Sequence, residues 1–156
     1  MRFEFSAGGV VYRKDAGRIS ILVCQHSQHH GWVFPKGLID EKQLASRRSG
    51  SATSLQQSVR ETKVEAALRE VKEETGINGK IIKSLLPITY WYNLKGEKIK
   101  KTVYYFLMEY NGGDITKHDR EMENVEWLPM DEVKNRLTYD SDKKVWGQAR
   151  KMIKSI

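Results

Sequence analysis

At 156 residues, with 39% apolar and 30% charged side chains, the chain has the size and make-up of a single globular domain, 1–156, able to bury a core without disulfides or structural metals. A formal net charge of +7 favours polyanionic partners, whether nucleic acid, nucleotide or phosphate-rich metabolite, but the lysines are scattered, as at Lys95, Lys98, Lys100 and Lys101, with no long basic tail, and stable nucleic-acid binding is not expected. No segment reaches the roughly 20 apolar residues of a membrane helix, the amino terminus lacks a signal-peptide pattern and the single cysteine cannot pair within the chain; no membrane is expected, and the setting is cytoplasmic.

Residues 3–12 and 19–25 read as strands around the turn-forming Lys14-Asp15-Ala16-Gly17. Gly8 and Gly9 inside the first run imply a bulge or a close backbone approach. Cys24 closes the apolar run Ile21-Leu22-Val23-Cys24 and is expected to be a buried structural thiol. Trp32-Val33-Phe34 is a short strand stopped by Pro35. Residues 41–58 are polar, Ser-rich and aperiodic and read as an inserted surface loop.

A helix follows, with Thr62 as N-cap, Glu65 completing a capping box, and Val64, Ala67, Leu68 and Val71 in one apolar stripe; Gly76 stands just past its end. Runs at about 80–92 and 98–110, joined by Asn93-Leu94-Lys95-Gly96-Glu97, predict a hairpin. Val125-Glu126-Trp127-Leu128 is another short strand. A short helix over 131–137 and a last helix over 141–153, with Ser141 as its N-cap, complete the set. This mixture points to the α/β class, with a mixed sheet packed between helices.

The first helix carries the chemistry. Glu70, Glu73 and Glu74 are spaced i, i+3 and i+4, so they share one face, beside the apolar stripe. Alone they read first as an acidic solvated face, because glutamate is common on helix surfaces. Like charges at that spacing repel, and a hard divalent cation relieves the repulsion, because magnesium prefers carboxylate oxygens and keeps water and phosphate as its other ligands. Arg69 is placed to hold one carboxylate by a bidentate pair.

The longer pattern decides between these readings. Glu61, seven residues, Arg69-Glu70-Val71, one residue, Glu73-Glu74, one residue and Gly76-Ile77 resembles the Nudix box, and Trp32-Val33-Phe34-Pro35-Lys36-Gly37 resembles the segment leading into it. The resemblance implies a Nudix α/β/α sandwich and a hydrolase that cuts phosphoanhydride bonds with Mg2+, or Mn2+ in its place. It implies metal ligation by Glu70, Glu73 and Glu74 with the Gly37 carbonyl, Glu70 serving as ligand or as the base for the attacking water. Arg69 and Glu61 would be structural, Lys36 would face substrate phosphate, and Glu121, just before a strand, would be either an additional catalytic carboxylate or an ordinary loop acid. In the family five residues separate the glycine from the first glutamate; here Gly37 and Glu61 enclose 23, so 18 are extra. Long surface insertions cost little. Deleting residues 41–58 is therefore expected to keep the fold and change substrate preference.

The runs Tyr90-Trp91-Tyr92-Asn93-Leu94-Lys95-Gly96-Glu97-Lys98-Ile99 and Lys101-Thr102-Val103-Tyr104-Tyr105-Phe106, with Glu126-Trp127-Leu128-Pro129-Met130-Asp131-Glu132, are similar to diadenosine tetraphosphate hydrolases of bacteria and archaea. The expected reaction is diadenosine tetraphosphate to ATP and AMP. Tyr92 and Tyr104 are the base-stacking candidates, a contact worth about 1–3 kcal/mol per base, although most aromatics at alternate strand positions are core. Oxidised purine nucleoside triphosphates, RNA 5′-pyrophosphates, ADP-ribose and inositol pyrophosphates are rival substrates. A nucleotide-binding regulatory module without activity is the rival of another class, and either a monomer or a homodimer fits.

Overall fold

The computed structural model describes residues 1–40 and 61–156; the stretch read as an inserted loop, 41–58, lies outside the described residues. Among the described residues, eight strands form one mixed sheet: β1 (Arg2–Asp15), β2 (Arg18–His26), β3 (Trp32–Val33), β4 (Lys36–Leu38), β5 (Ile77–Ser84), β6 (Ile88–Leu94), β7 (Glu97–Gly113) and β8 (Met122–Pro129). Helix α1 (Lys63–Thr75) covers one face, and α2 (Val133–Arg136) with α3 (Asp140–Lys154) the other, each over its own apolar cluster. This is the expected mixed α/β sandwich. No helix among the described residues is long and apolar enough to cross a membrane.

The sheet is built on two long strands. β1 and β7 run parallel, and their remaining partners are antiparallel. The predicted hairpin turns at Lys95-Gly96, where both residues have positive φ as a tight hairpin requires. Its first arm is two strands, because β6 pairs the first part of β7 and β5 the last part. The break falls at Leu85-Leu86-Pro87: Leu85 turns into the core and donates its N–H to the Tyr105 carbonyl (2.9 Å), and Pro87 has no N–H for a ladder. At Gly8-Gly9 the Pro35 carbonyl lies against β1 where a side chain on Gly8 would stand and accepts from Gly9 N–H (3.2 Å), the close approach expected there. Cys24 is fully buried.

Both halves of the capping box form on α1: Glu65 N–H donates to Thr62 Oγ1 (3.0 Å) and Thr62 N–H to Glu65 Oε1 (2.9 Å). A cap of this kind stabilises a helix by about 1 kcal/mol. Gly76 ends the helix in the left-handed conformation, φ 80°. The buried face departs from the expected stripe. It consists of Ala66, Ala67, Glu70, Val71, Glu74 and Thr75, while Val64 is 38% exposed. The small alanines let the helix lie close to β1, where Val71 packs over Gly9. That roll carries two glutamates inward with the apolar residues. At the last helix, Ser141 is not the N-cap. Tyr139 holds that position without a side-chain bond, and Asp140 and Asp142 supply the negative charge that a helix start favours.

Candidate active site

Five parts of the chain meet around a cleft of about 810 Å³, one of them the segment leading out of β2, with His26, Gln28 and His29. α1 contributes Glu70 and Glu74, β4 contributes Lys36 and Gly37, and the β6–β7 hairpin contributes Tyr90, Tyr92 and Lys101. Glu121, just before β8, stands at the rim. Adjacent strand residues point to opposite faces. Gly37 therefore faces α1, and Lys36 faces the side where Tyr90 lies, so the cleft draws on both faces of the sheet.

The acidic wall is the most perturbed part. Glu74 is 2% exposed, and burial, then the charges of Glu121 and Glu70, push its carboxyl up to about 9. Burial also raises Glu70, although Arg69 Nη1 donates to its Oε1 at 2.7 Å. Glu74 Oε1 accepts from the Lys36 backbone N–H (3.1 Å), fixing β4 against the helix.

Arg69 organises the surroundings. It grips Glu61 with two bonds, Nε to Oε2 at 2.6 Å and Nη2 to Oε1 at 2.9 Å, and donates from Nη2 to the Leu38 carbonyl (3.1 Å). Its Nη1 also reaches Glu73 at 3.1 Å. Glu73 is thus tied beside Arg69 and does not line the cleft. The Glu121 segment is fixed by backbone: Asp119 N–H donates to the Glu73 carbonyl (3.0 Å), and Ser27 donates to the Glu121 carbonyl from both N–H and hydroxyl (2.9 Å each).

The opposite wall is basic and aromatic. Burial favours the neutral form of Lys36, but the fields of Asp142, Tyr90 and Glu74 outweigh it and raise its pKa. Burial, then Lys36, lowers Lys101. Asp142 is 3% exposed and accepts from Phe34 N–H at 3.1 Å, anchoring the segment that carries Lys36 to α3. The Tyr90 and Tyr92 rings lie 6.4 Å apart at the cleft wall, and the Tyr92 hydroxyl donates to Glu4.

Of the residues singled out in the sequence, the fold brings Lys36, Gly37, Glu70, Glu74, Tyr92 and Glu121 to one cleft. Tyr104 lies on the other face of the sheet, where Lys63 Nζ sits 3.9 Å from its ring centre. It lines a separate, more apolar cavity of about 610 Å³ whose single acid, Glu61, is already bound to Arg69. Tyr90, Lys101 and Asp142 were missed. The first two were within reach of the sequence, because a turn at Lys95-Gly96 sets Tyr90 opposite Lys101 and on the same face as Tyr92. Nothing local marked Asp142.

Buried carboxylates that repel one another, with an ammonium across the cleft, form a donor set of hard oxygens that fits Mg2+ or Mn2+. Among the described residues no three acidic or imidazole groups are close enough to enclose an ion by themselves. Magnesium keeps water and phosphate ligands, so an open arrangement suits it.

The NUDIX domain model matches residues 2–153. The chain is 36% identical over 160 residues to a Mycobacterium tuberculosis protein named as mutator protein MutT4, an alignment covering 98% of this chain and 57% of that one, so the chain spans little more than half of that relative. It is 32% identical over 135 residues to the asymmetrical bis(5′-nucleosyl)-tetraphosphatase of Caenorhabditis elegans, covering 82% of this chain and 80% of that one. The crystal structure of a C. elegans Ap4A hydrolase binary complex superposes with a TM-score of 0.67 at 26% identity, covering 98% of this chain and 99% of that one.

Proposed function

The chain belongs to the Nudix family, and from that premise we propose that it is a metal-dependent pyrophosphohydrolase whose substrate is diadenosine tetraphosphate, cut to ATP and AMP. The observation that carries this reading is the pairing of walls: buried acids on α1 face Lys36, Lys101 and two tyrosines across one cleft. Glu70 and Glu74, with the Gly37 carbonyl, would hold Mg2+, which neutralises phosphate oxygens and acidifies a bound water. A cleft carboxylate accepts the proton of the attacking water. The water oxygen bonds to one phosphorus, the P–O bond of the anhydride breaks, and the departing phosphate oxygen keeps the electron pair. Lys36 and Lys101 neutralise the polyphosphate, and Tyr92 offers a face to a base. The similarity to the C. elegans tetraphosphatase supports the choice of substrate.

Product analysis across a panel tests it. Diadenosine tetraphosphate, oxidised and ordinary nucleoside triphosphates, ADP-ribose and 5′-triphosphorylated RNA are each incubated with enzyme and Mg2+. ATP plus AMP, released faster than any other products, supports the assignment. Faster release of pyrophosphate and a nucleoside monophosphate replaces it, and no turnover on any substrate favours a binding module.

A further inference from the structure

On the face of the sheet opposite Tyr92 and Lys101, three side chains stand in one row. Phe3 of β1 pairs with Lys100 of β7, and Lys100 pairs with Trp91 of β6. All three project to the same side, because directly paired residues share a face. The rings are open to solvent, Phe3 at 55% and Trp91 at 48% exposed. The Lys100 ammonium lies between them, 5.4 Å from the Trp91 ring centre and 6.0 Å from that of Phe3. Lys98 Nζ approaches the same indole at 4.7 Å, and Phe5, 45% exposed, continues the aromatic surface along β1.

From this row we infer that the open face of β1, β7 and β6 binds a single-stranded polynucleotide. Aromatic platforms with cations beside them are the chemistry that recognises single strands: bases stack on the rings and phosphates meet the ammonium groups. Phe3 and Trp91 are two strand spacings apart, roughly 10 Å, with Lys100 between them, so an extended strand can place bases on the two rings and the intervening phosphate on the lysine. The charge is complementary to a polyanion. Lys98 and Lys100 are in no ion pair among the described residues, and the acids next to them in the sheet, Glu4 and Glu97, alternate to the opposite face, where each is paired with Arg2 at 3.4 and 3.3 Å. The net charge of +7 acts in the same direction. Lysines that look scattered in the sequence, at positions 98 and 100, become one edge of a platform once β7 pairs with both neighbours.

The test is fluorescence anisotropy of a 3′-labelled twelve-nucleotide oligouridylate with a 5′-hydroxyl end, in EDTA and low salt, so that the acidic cleft is offered neither metal nor a polyphosphate. The expected result is binding with a dissociation constant on the order of 10 µM that weakens steeply with salt. Trp91→Ala and Lys100→Ala each weaken it about tenfold, Trp91→Phe retains it, and all three variants keep wild-type hydrolysis and melting. The inference is overturned by no binding at about 100 µM protein, by binding that Trp91→Ala and Lys100→Ala leave unchanged, or by binding lost in Lys36→Ala, which would place the strand in the cleft. It is equally overturned if, without oligonucleotide binding, Trp91→Ala abolishes self-association in sedimentation, because the face would then pair two copies. Binding that appears only when residues 41–58 are deleted would assign the face to the chain itself and also overturn it.

Discussion

The carboxylate of Glu70 stands in the space that a side chain at position 37 would fill: a Cβ built on Gly37 overlaps Glu70 Cδ and both of its oxygens. Gly37→Ala should therefore displace Glu70 while leaving the fold intact, since the group in the way is the end of a flexible side chain. We expect metal-dependent turnover to fall about 10–100-fold, the usual cost of disturbing groups that orient metal ligands, with an unchanged circular dichroism spectrum. Activity within twofold of wild type would show that the position of Glu70 against β4 is immaterial.

Glu74 is the deepest acid of the cleft, and its raised pKa reflects burial among other acids. Glu74→Gln should lower kcat by about 10²–10⁴ and remove the stabilisation that Mg2+ gives. At a hundredfold excess over its dissociation constant, Mg2+ should add about 2.7 kcal/mol to wild type, a rise in Tm of about 5–10 °C for a chain of this size. Chelation should reverse it. Equal Mg2+-induced shifts in the two proteins would place the ion elsewhere.

How far the sequence revealed this arrangement depended on the range of the forces involved. Thr62, Glu65 and Gly76 mark the ends of α1 because caps are satisfied within one turn, and Lys95-Gly96 marks its hairpin because the conformation is set by the turn itself. The spacing of Glu70 and Glu74 placed them together on the helix, but not their depth; that follows from Ala66, Ala67 and Gly9 letting the helix settle on β1. The break at Leu85-Leu86-Pro87 and the parallel pairing of β1 with β7 depend on partners far away in the chain, and so does the meeting of Asp142 with Phe34. Val64 carried the signature of a core residue and remained exposed, because helix roll is decided by the surface the helix meets.

The Glu61–Arg69 pair should make stability depend on pH. Hydrogen bonds from Arg69 hold Glu61 below the usual carboxylate range, against the opposing effect of burial. A carboxylate with a lowered folded pKa stabilises the fold above its unfolded value and loses that contribution as pH falls through the folded value. Glu61→Gln should cost about 1–3 kcal/mol at neutral pH. The gap from wild type should close as the pH drops through and below the ordinary carboxylate range, as read by urea melts. A gap independent of pH would mean that packing, not charge, is what the substitution removes.

Lys36 and Asp142 should separate by readout. Lys36→Ala removes an ammonium facing the cleft and should raise KM for a polyphosphate substrate with little change in Tm. Asp142→Ala leaves the buried Phe34 N–H without its acceptor and should cost about 1–3 kcal/mol of stability, with KM rising as the Lys36 segment loosens. Wild-type melting of Asp142→Ala would contradict that anchoring.

Metal-dependent cleavage at this cleft is tested most directly by the product released from diadenosine tetraphosphate by the wild-type protein with Mg2+, compared with Glu74→Gln and with a chelated control. ATP and AMP are expected in equal amounts from the wild type, and almost none from the other two. Two molecules of ADP, or turnover indifferent to Glu74 and to the metal, would contradict that expectation.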